Sequence, residues 1–186
     1  MGKNKRIKCS KAYFDKVDKI FTPLKQIKIK SNSTQKWTTL PNKEDDVYAP
    51  ILNAFKEELL RIYNTSPKHV ATRLIEYLVG TKDFYKVIKS DNFVEIQAYN
   101  IHGTLNLPFK NIEPKFKTPK VNLPNKIIDV AFKKNSKTTL IVQLDNDWEL
   151  SFRIHNASSR IEPSLKFDIN LLKAPKSLFK NTLSVS

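Results

Sequence analysis

The run LIEYLVGTKDFYKVIKSDNFVEIQAY, residues 74–99, contains the change of period that decides the fold class. Up to Gly80 the apolar residues return at three- and four-residue steps: Val70, Leu74, Tyr77 and Leu78. That spacing predicts one buried helical face. Ser66 is placed as its N-cap, Pro67 fits its first helical position, and Gly80 ends it. Beyond Gly80 the period falls to two. Phe84–Lys89 and Phe93–Tyr99 read as paired strands joined at Ser90-Asp91-Asn92, a turn-forming triplet.

Toward the N-terminus the helical period continues. Tyr13, Phe14, Val17, Ile20, Phe21 and Leu24 mark an amphipathic helix over 11–26, with Ser10 as its cap. Lys25–Lys36 is polar and reads as a loop. Asn42 is placed to cap a second helix with the apolar face Val47, Ile51, Phe55, Leu59 and Ile62. Pro50 either kinks that helix or marks its true start.

Toward the C-terminus the reading is β. LPFKNIEPKFKTPKVNLPNK, residues 107–126, has four prolines among repeated lysines and predicts an extended connector. Strands are expected at Ile127–Phe132, Thr138–Leu144 and Trp148–Ile154, with turns at Lys134-Asn135-Ser136 and Asp145-Asn146-Asp147. A last strand, Leu165–Leu171, closes the sheet, and the tail from Lys173 frays. The fold class is therefore α+β: N-terminal helices followed by a mostly antiparallel β-sheet. The organisation expected is a helical region with a hairpin (1–107), a connector (108–126) and a β-rich part (127–186). The connector is the single internal place where one domain could become two.

The chain has 186 residues, a net charge of +15 and one cysteine. The charge favours polyanions, nucleic acid first. Lysine outnumbers arginine heavily and asparagine is abundant, so coding bias accounts for part of that charge. No apolar run is long enough to span a membrane, and the basic N-terminus has no apolar stretch behind it. A lone Cys9 makes neither an internal disulfide nor a multi-cysteine metal site. The expectation is a reduced, cytoplasmic protein with no membrane partner.

Three features carry candidate chemistry. Between the last two expected strands, Arg153, His155, Asn156, Ser158, Ser159, Arg160 and Lys166 gather directional donors and acceptors. Arginine's paired N–H groups match guanine O6 and N7, while asparagine, histidine and serine hold phosphates or base edges. The same residues also suit a surface loop that merely closes its own turns. Lysines along 110–126 can follow a phosphate backbone, with Phe109 and Phe116 as stacking platforms, or belong to a solvated linker. For a metal-dependent nuclease, Asp83 with Glu95-Ile96-Gln97, or Asp129 with Asp147-Trp148-Glu149, gives a degenerate centre without the usual lysine. Glu44-Asp45-Asp46 reads more simply as an acidic first helical turn. His69, His102 and His155 are far apart in sequence, and three glycines cannot build a phosphate loop.

Several separate stretches resemble the HaeIII-type restriction endonucleases. They are SFRIHNASSRIEPSLKFDI (151–169), HVATRLIEYLVGTKDFYKVIK (69–89), IQAYNIHGTLN (96–106) and the region of Trp37 and VYAPILNAFKEEL (47–59). The resemblance implies type II cleavage of double-stranded DNA at GGCC with Mg²⁺, within a restriction-modification system. A palindromic target implies two protomers or two half-site readings. Family members are longer at the N-terminus, where their nuclease core lies. The chain is accordingly expected to be the DNA-binding C-terminal portion, with double-stranded DNA, a homodimer or a missing N-terminal catalytic part as partners. No catalytic residue and no metal ligand is carried over. The alternatives are an intact small Mg²⁺-dependent deoxyribonuclease with a degenerate centre and a non-specific basic binding module.

Overall fold

Ser10 opens the first helix as expected, its Oγ accepting from Tyr13 N at 3.2 Å. The computed structural model describes residues 8–30, 40–80, 83–101, 121–159, 165–177 and 179–184. Helix α1 spans Lys11–Lys30, past the end of its apolar pattern, and carries Pro23 on an exposed side.

Asn42 starts the next helical stretch with its backbone, not its side chain. It adopts φ 55°, and its carbonyl accepts from Asp45 N and Asp46 N at 2.9 and 2.8 Å. A π-helical turn, Glu44–Tyr48, then leads into α2, Ala49–Thr65. Pro50 stands in the first turn of α2 and has no N–H to return to Asp46, so the ladder widens there. Pro50 thus marks the true start.

Helix α3 covers Pro67–Val79 and ends at Gly80, whose φ of 64° suits a residue without Cβ. Its buried face is Val70, Ala71, Ile75 and Val79. This corrects the expected face, because Tyr77 is 86% exposed. Ala71 and Ile75 are fully buried, so the close approach of a small residue turns the helix away from Tyr77. Ser66 receives Val70 N on its carbonyl and makes no side-chain cap.

The strands form two antiparallel sheets. β1 (Phe84–Lys89), β2 (Phe93–Tyr99) and β7 (Phe179–Ser184) make a three-stranded sheet in the order β1-β2-β7. β3 (Ile127–Phe132), β4 (Thr139–Leu144), β5 (Glu149–Asn156) and β6 (Leu165–Lys173) make a four-stranded meander. The end expected to fray is instead a strand, pairing Ala98 with Phe179 and Phe93 with Ser184. Its return to the N-terminal hairpin also replaces the single sheet of the sequence reading.

One buried cluster joins these parts, from Leu52 on α2 and Ile75 on α3 to Tyr99, Leu140, Trp148 and Ile154. The last residues of the connector belong to it. Val121 and Pro124 are buried, and Pro124 O accepts from Thr72 Oγ1 at 2.8 Å. Asp145 Oδ1 takes Asn125 N and Lys126 N at 2.7 and 3.0 Å, and Asn146 Nδ2 donates to Leu123 O at 2.8 Å. A solvated linker is therefore the wrong description of 121–126. Residues 102–120, with Phe109, Phe116 and most of the connector lysines, lie outside the described residues, as do 31–39.

Candidate nucleic-acid interface

The alternation of β5 sorts the loop-proximal residues by face. Leu150, Phe152 and Ile154 are buried. Their face meets α2, where Phe55 packs 5.2 Å from Phe152 and 5.5 Å from Phe167 between ring centroids. Arg153 and His155 point to the opposite face. Cross-strand partners share a face, so Asp168 stands beside Arg153 and Lys166 beside His155. Thr139 and Ser151 lie on the same face and are buried, while Arg153, Lys166 and Asp168 project at its loop end and Asn170, Gln143 and Asp129 are exposed further along it.

Among the described residues Arg153 and Lys166 make no side-chain hydrogen bond or ion pair, and neither does the exposed Ser159. The other members of the expected set are engaged. His155 Nδ1 lies 2.9 Å from Asn156 O, which can only accept, so that nitrogen carries the hydrogen. Its Nε2 is buried, 3.1 Å from Asp168 Oδ1, with no hydrogen bond between them. Asn156 uses both ends of its amide: Oδ1 accepts from Tyr48 Oη at 3.4 Å and Nδ2 donates to Ser158 O. Ser158 is half-buried and bonded within the fold. Arg160 lies outside the described residues.

Two residues here escaped the sequence reading. Tyr48 arrives from the π-helical turn, and its burial pushes the phenol upward from the usual tyrosine range. No pattern in the sequence links it to Asn156. Asp168 was findable, because it stands two residues after Lys166 on an expected strand and so shares its face. With Arg153 beside it, one face offers guanidinium donors and a carboxylate acceptor. Those are the groups that suit guanine O6 and N7 and the cytosine amino group of one base pair.

The carboxylates proposed for a degenerate nuclease centre do not converge. Asp83 accepts from Asn100 Nδ2 at 2.6 Å, near the Phe84↔Tyr99 end of the hairpin. Glu95 sits opposite Ile88, on the order of 15 Å further along. It pairs there with Lys180 Nζ at 2.5 Å and accepts from Gln97 Nε2. Hydrogen bonds from Lys180 and Gln97 lower its pKa. Asp147 pairs with Lys173, and Asp129 is separated from Glu149 by the Gln143 strand. Among the described residues no three His, Cys, Asp or Glu side chains gather in a way that could hold a metal ion.

Comparison with known proteins matches the HaeIII restriction endonuclease family over residues 3–175. The chain belongs to the HaeIII restriction endonuclease family. The type II restriction enzyme HaeIII of Haemophilus aegyptius is 45% identical over 171 residues, 91% of this chain. That match takes in 53% of the relative, so the chain spans about half the length of the curated protein it resembles. No solved structure matches it. Within the described residues no helix is long and apolar enough to cross a membrane.

Proposed function

We propose that this chain is the DNA-reading portion of a HaeIII-type restriction endonuclease, with GGCC in double-stranded DNA as its target. The outward face of the four-stranded sheet is its contact surface. The observation that carries this reading is the unpaired, exposed Arg153 standing beside Asp168, with Lys166 on the same face. An uncommitted guanidinium costs nothing to redirect toward a base edge, whereas one in an ion pair must first give up its partner. Asn156 serves that face by positioning, since both ends of its amide are spent inside the fold, and His155 is tied to it through Nδ1 and the Asn156 carbonyl. Ser159 extends the surface beyond the end of β5, and Arg160, outside the described residues, is proposed as a contact from the sequence alone.

The family implies a divalent metal for cleavage. The described candidate carboxylates are dispersed, and Asp83, Glu95 and Asp147 are each held by a neighbouring side chain, so they do not fit such an ion and no cleavage step is assigned to them. The catalytic function belongs, on this reading, to the part of the family's chain outside the match.

Fluorescence anisotropy with a GGCC duplex and a scrambled duplex, at two salt concentrations with Ca²⁺ present, tests the proposal. The expected result is a GGCC preference of several kcal/mol, on the order of 4 or more. Arg153→Ala should remove about 1–3 kcal/mol of that preference. Lys166→Ala should weaken both duplexes alike and reduce the salt slope by about one. Equal, salt-sensitive binding of both duplexes by the unaltered chain would reduce it to a non-specific basic module.

A further inference from the structure

The three-stranded sheet has one face that the described residues leave open. By register, Tyr85, Val87, Ile96, Val94 and Leu183 share a side of β1, β2 and β7. Val87 is 61% exposed, Leu183 50% and Tyr85 45%, while Val94 and Ile96 are half-buried between them. Other exposed apolar residues, such as Phe14, Tyr77 and Ile128, stand apart on other elements. The patch continues at Tyr85 into a groove between β1 and β6 that Leu78, Ile169 and Leu171 also line. Lys89 and Asn181 share that side and flank the apolar strip, and an exposed apolar strip with a polar edge is the kind of surface that folded proteins cover.

The family match supplies the occupant. Nearly half of the H. aegyptius relative lies outside the matched region. A second layer packed on this face would complete the sandwich of an ordinary layered domain. We propose that the face of Tyr85, Val87 and Leu183 seats the portion of the family's polypeptide that lies outside this match, whether carried on the same chain or a separate one. The proposal rests on the DNA-reading assignment, because it joins the reading surface to the part that cuts. Val87 and Leu183 stand on a different sheet from Arg153, so a partner seated on them is expected to leave the guanidinium free.

The test is co-expression of the tagged full chain with the part of the H. aegyptius enzyme outside the matched region. Capture and light-scattering mass are the readouts. A one-to-one complex is expected with the unaltered chain. Val87→Lys and Leu183→Lys should each reduce capture at least tenfold, both positions being exposed enough to tolerate the change. Thr182→Lys, next along β7 but on the other face, should leave capture intact. Circular dichroism and melting confirm that each variant is folded. Three outcomes would overturn the proposal: no capture by the unaltered chain, capture indifferent to both substitutions, or a homodimer of this chain that the substitutions dissolve. GGCC anisotropy on the same preparations separates the two ideas, since loss of DNA preference sinks the assignment without touching the seat.

Discussion

Replacing Trp148 with alanine is expected to lower unfolding free energy by about 3–5 kcal/mol, the range for emptying a large aromatic site. The indole is 1% exposed and stands 6.4 Å from the Phe84 ring between centroids. Its Nε1–H donates to Asn122 O at 2.8 Å, so the side chain both fills the core and fastens the end of the connector. Trp148→Phe should restore most of the packing but leave the Asn122 carbonyl without its donor, a residual loss of about 1 kcal/mol. Urea titration of the three proteins measures both steps. A loss under about 1 kcal/mol for the alanine variant would show that residues 121–126 are not held as described. Trp148 also immediately precedes β5, the strand carrying Arg153 and His155. The alanine variant should therefore lose DNA discrimination in parallel with stability.

The same residue shows what the sequence could and could not tell. Every strand from Phe84 to Leu171 was legible to within two residues, because half-buried strands alternate and their turns carry Asn, Asp and Ser. Asn135, Asn146 and Asp147 indeed take positive φ at those turns. What the alternation cannot say is which sheet a strand joins. β7 was missed because its run, Phe179–Ser184, is short and does not alternate, with Lys180, Asn181 and Thr182 polar in succession, and its stability comes from a partner strand distant in sequence. The docking of 121–126 was hidden for a similar reason. Its backbone groups exchange hydrogen bonds with the side chains of Asp145, Asn146 and Trp148, which the sequence reads as a turn and the start of a strand. At the candidate site the sequence identified the strands that carry Arg153, His155, Asn156 and Lys166. It did not distinguish groups that are free from groups already spent, since that depends on contacts such as Tyr48 reaching Asn156 in space.

Glu58→Ala is expected to destabilise the fold by about 2–4 kcal/mol near neutral pH. Glu58 is a buried carboxylate, 6% exposed, at the junction of α1 and α2. Arg61 grips both oxygens, with Nε 2.9 Å from Oε2 and Nη2 2.8 Å from Oε1. Ser10 adds its N–H at 2.6 Å and its hydroxyl at 2.9 Å, which ties the start of α1 to α2. The hydrogen bonds from Arg61 are the main reason the carboxyl is lowered to about 2, with Ser10 helping and burial opposing. The folded value lies below the ordinary value of 4.5, so the fold favours the ionised form. Its contribution is complete above roughly pH 5 and shrinks as pH falls toward the folded value. Melting temperatures of the unaltered chain and the Glu58→Ala variant should thus be furthest apart at neutral pH and draw together from about pH 5 down to about pH 2. Glu58→Gln, which keeps the shape but not the charge, should show the same convergence from a smaller gap. A gap that is constant with pH would mean that packing, not ionisation, carries the contribution. Arg61 is about half exposed and can return to water when its partner is removed, which keeps the expected cost below that of a fully buried pair. Since α2 supports the four-stranded sheet from its apolar side through Phe55, the folded fraction of either variant should keep full GGCC preference. Loss of preference without loss of folding would place Glu58 in communication with the reading face, a role its geometry gives no reason to expect.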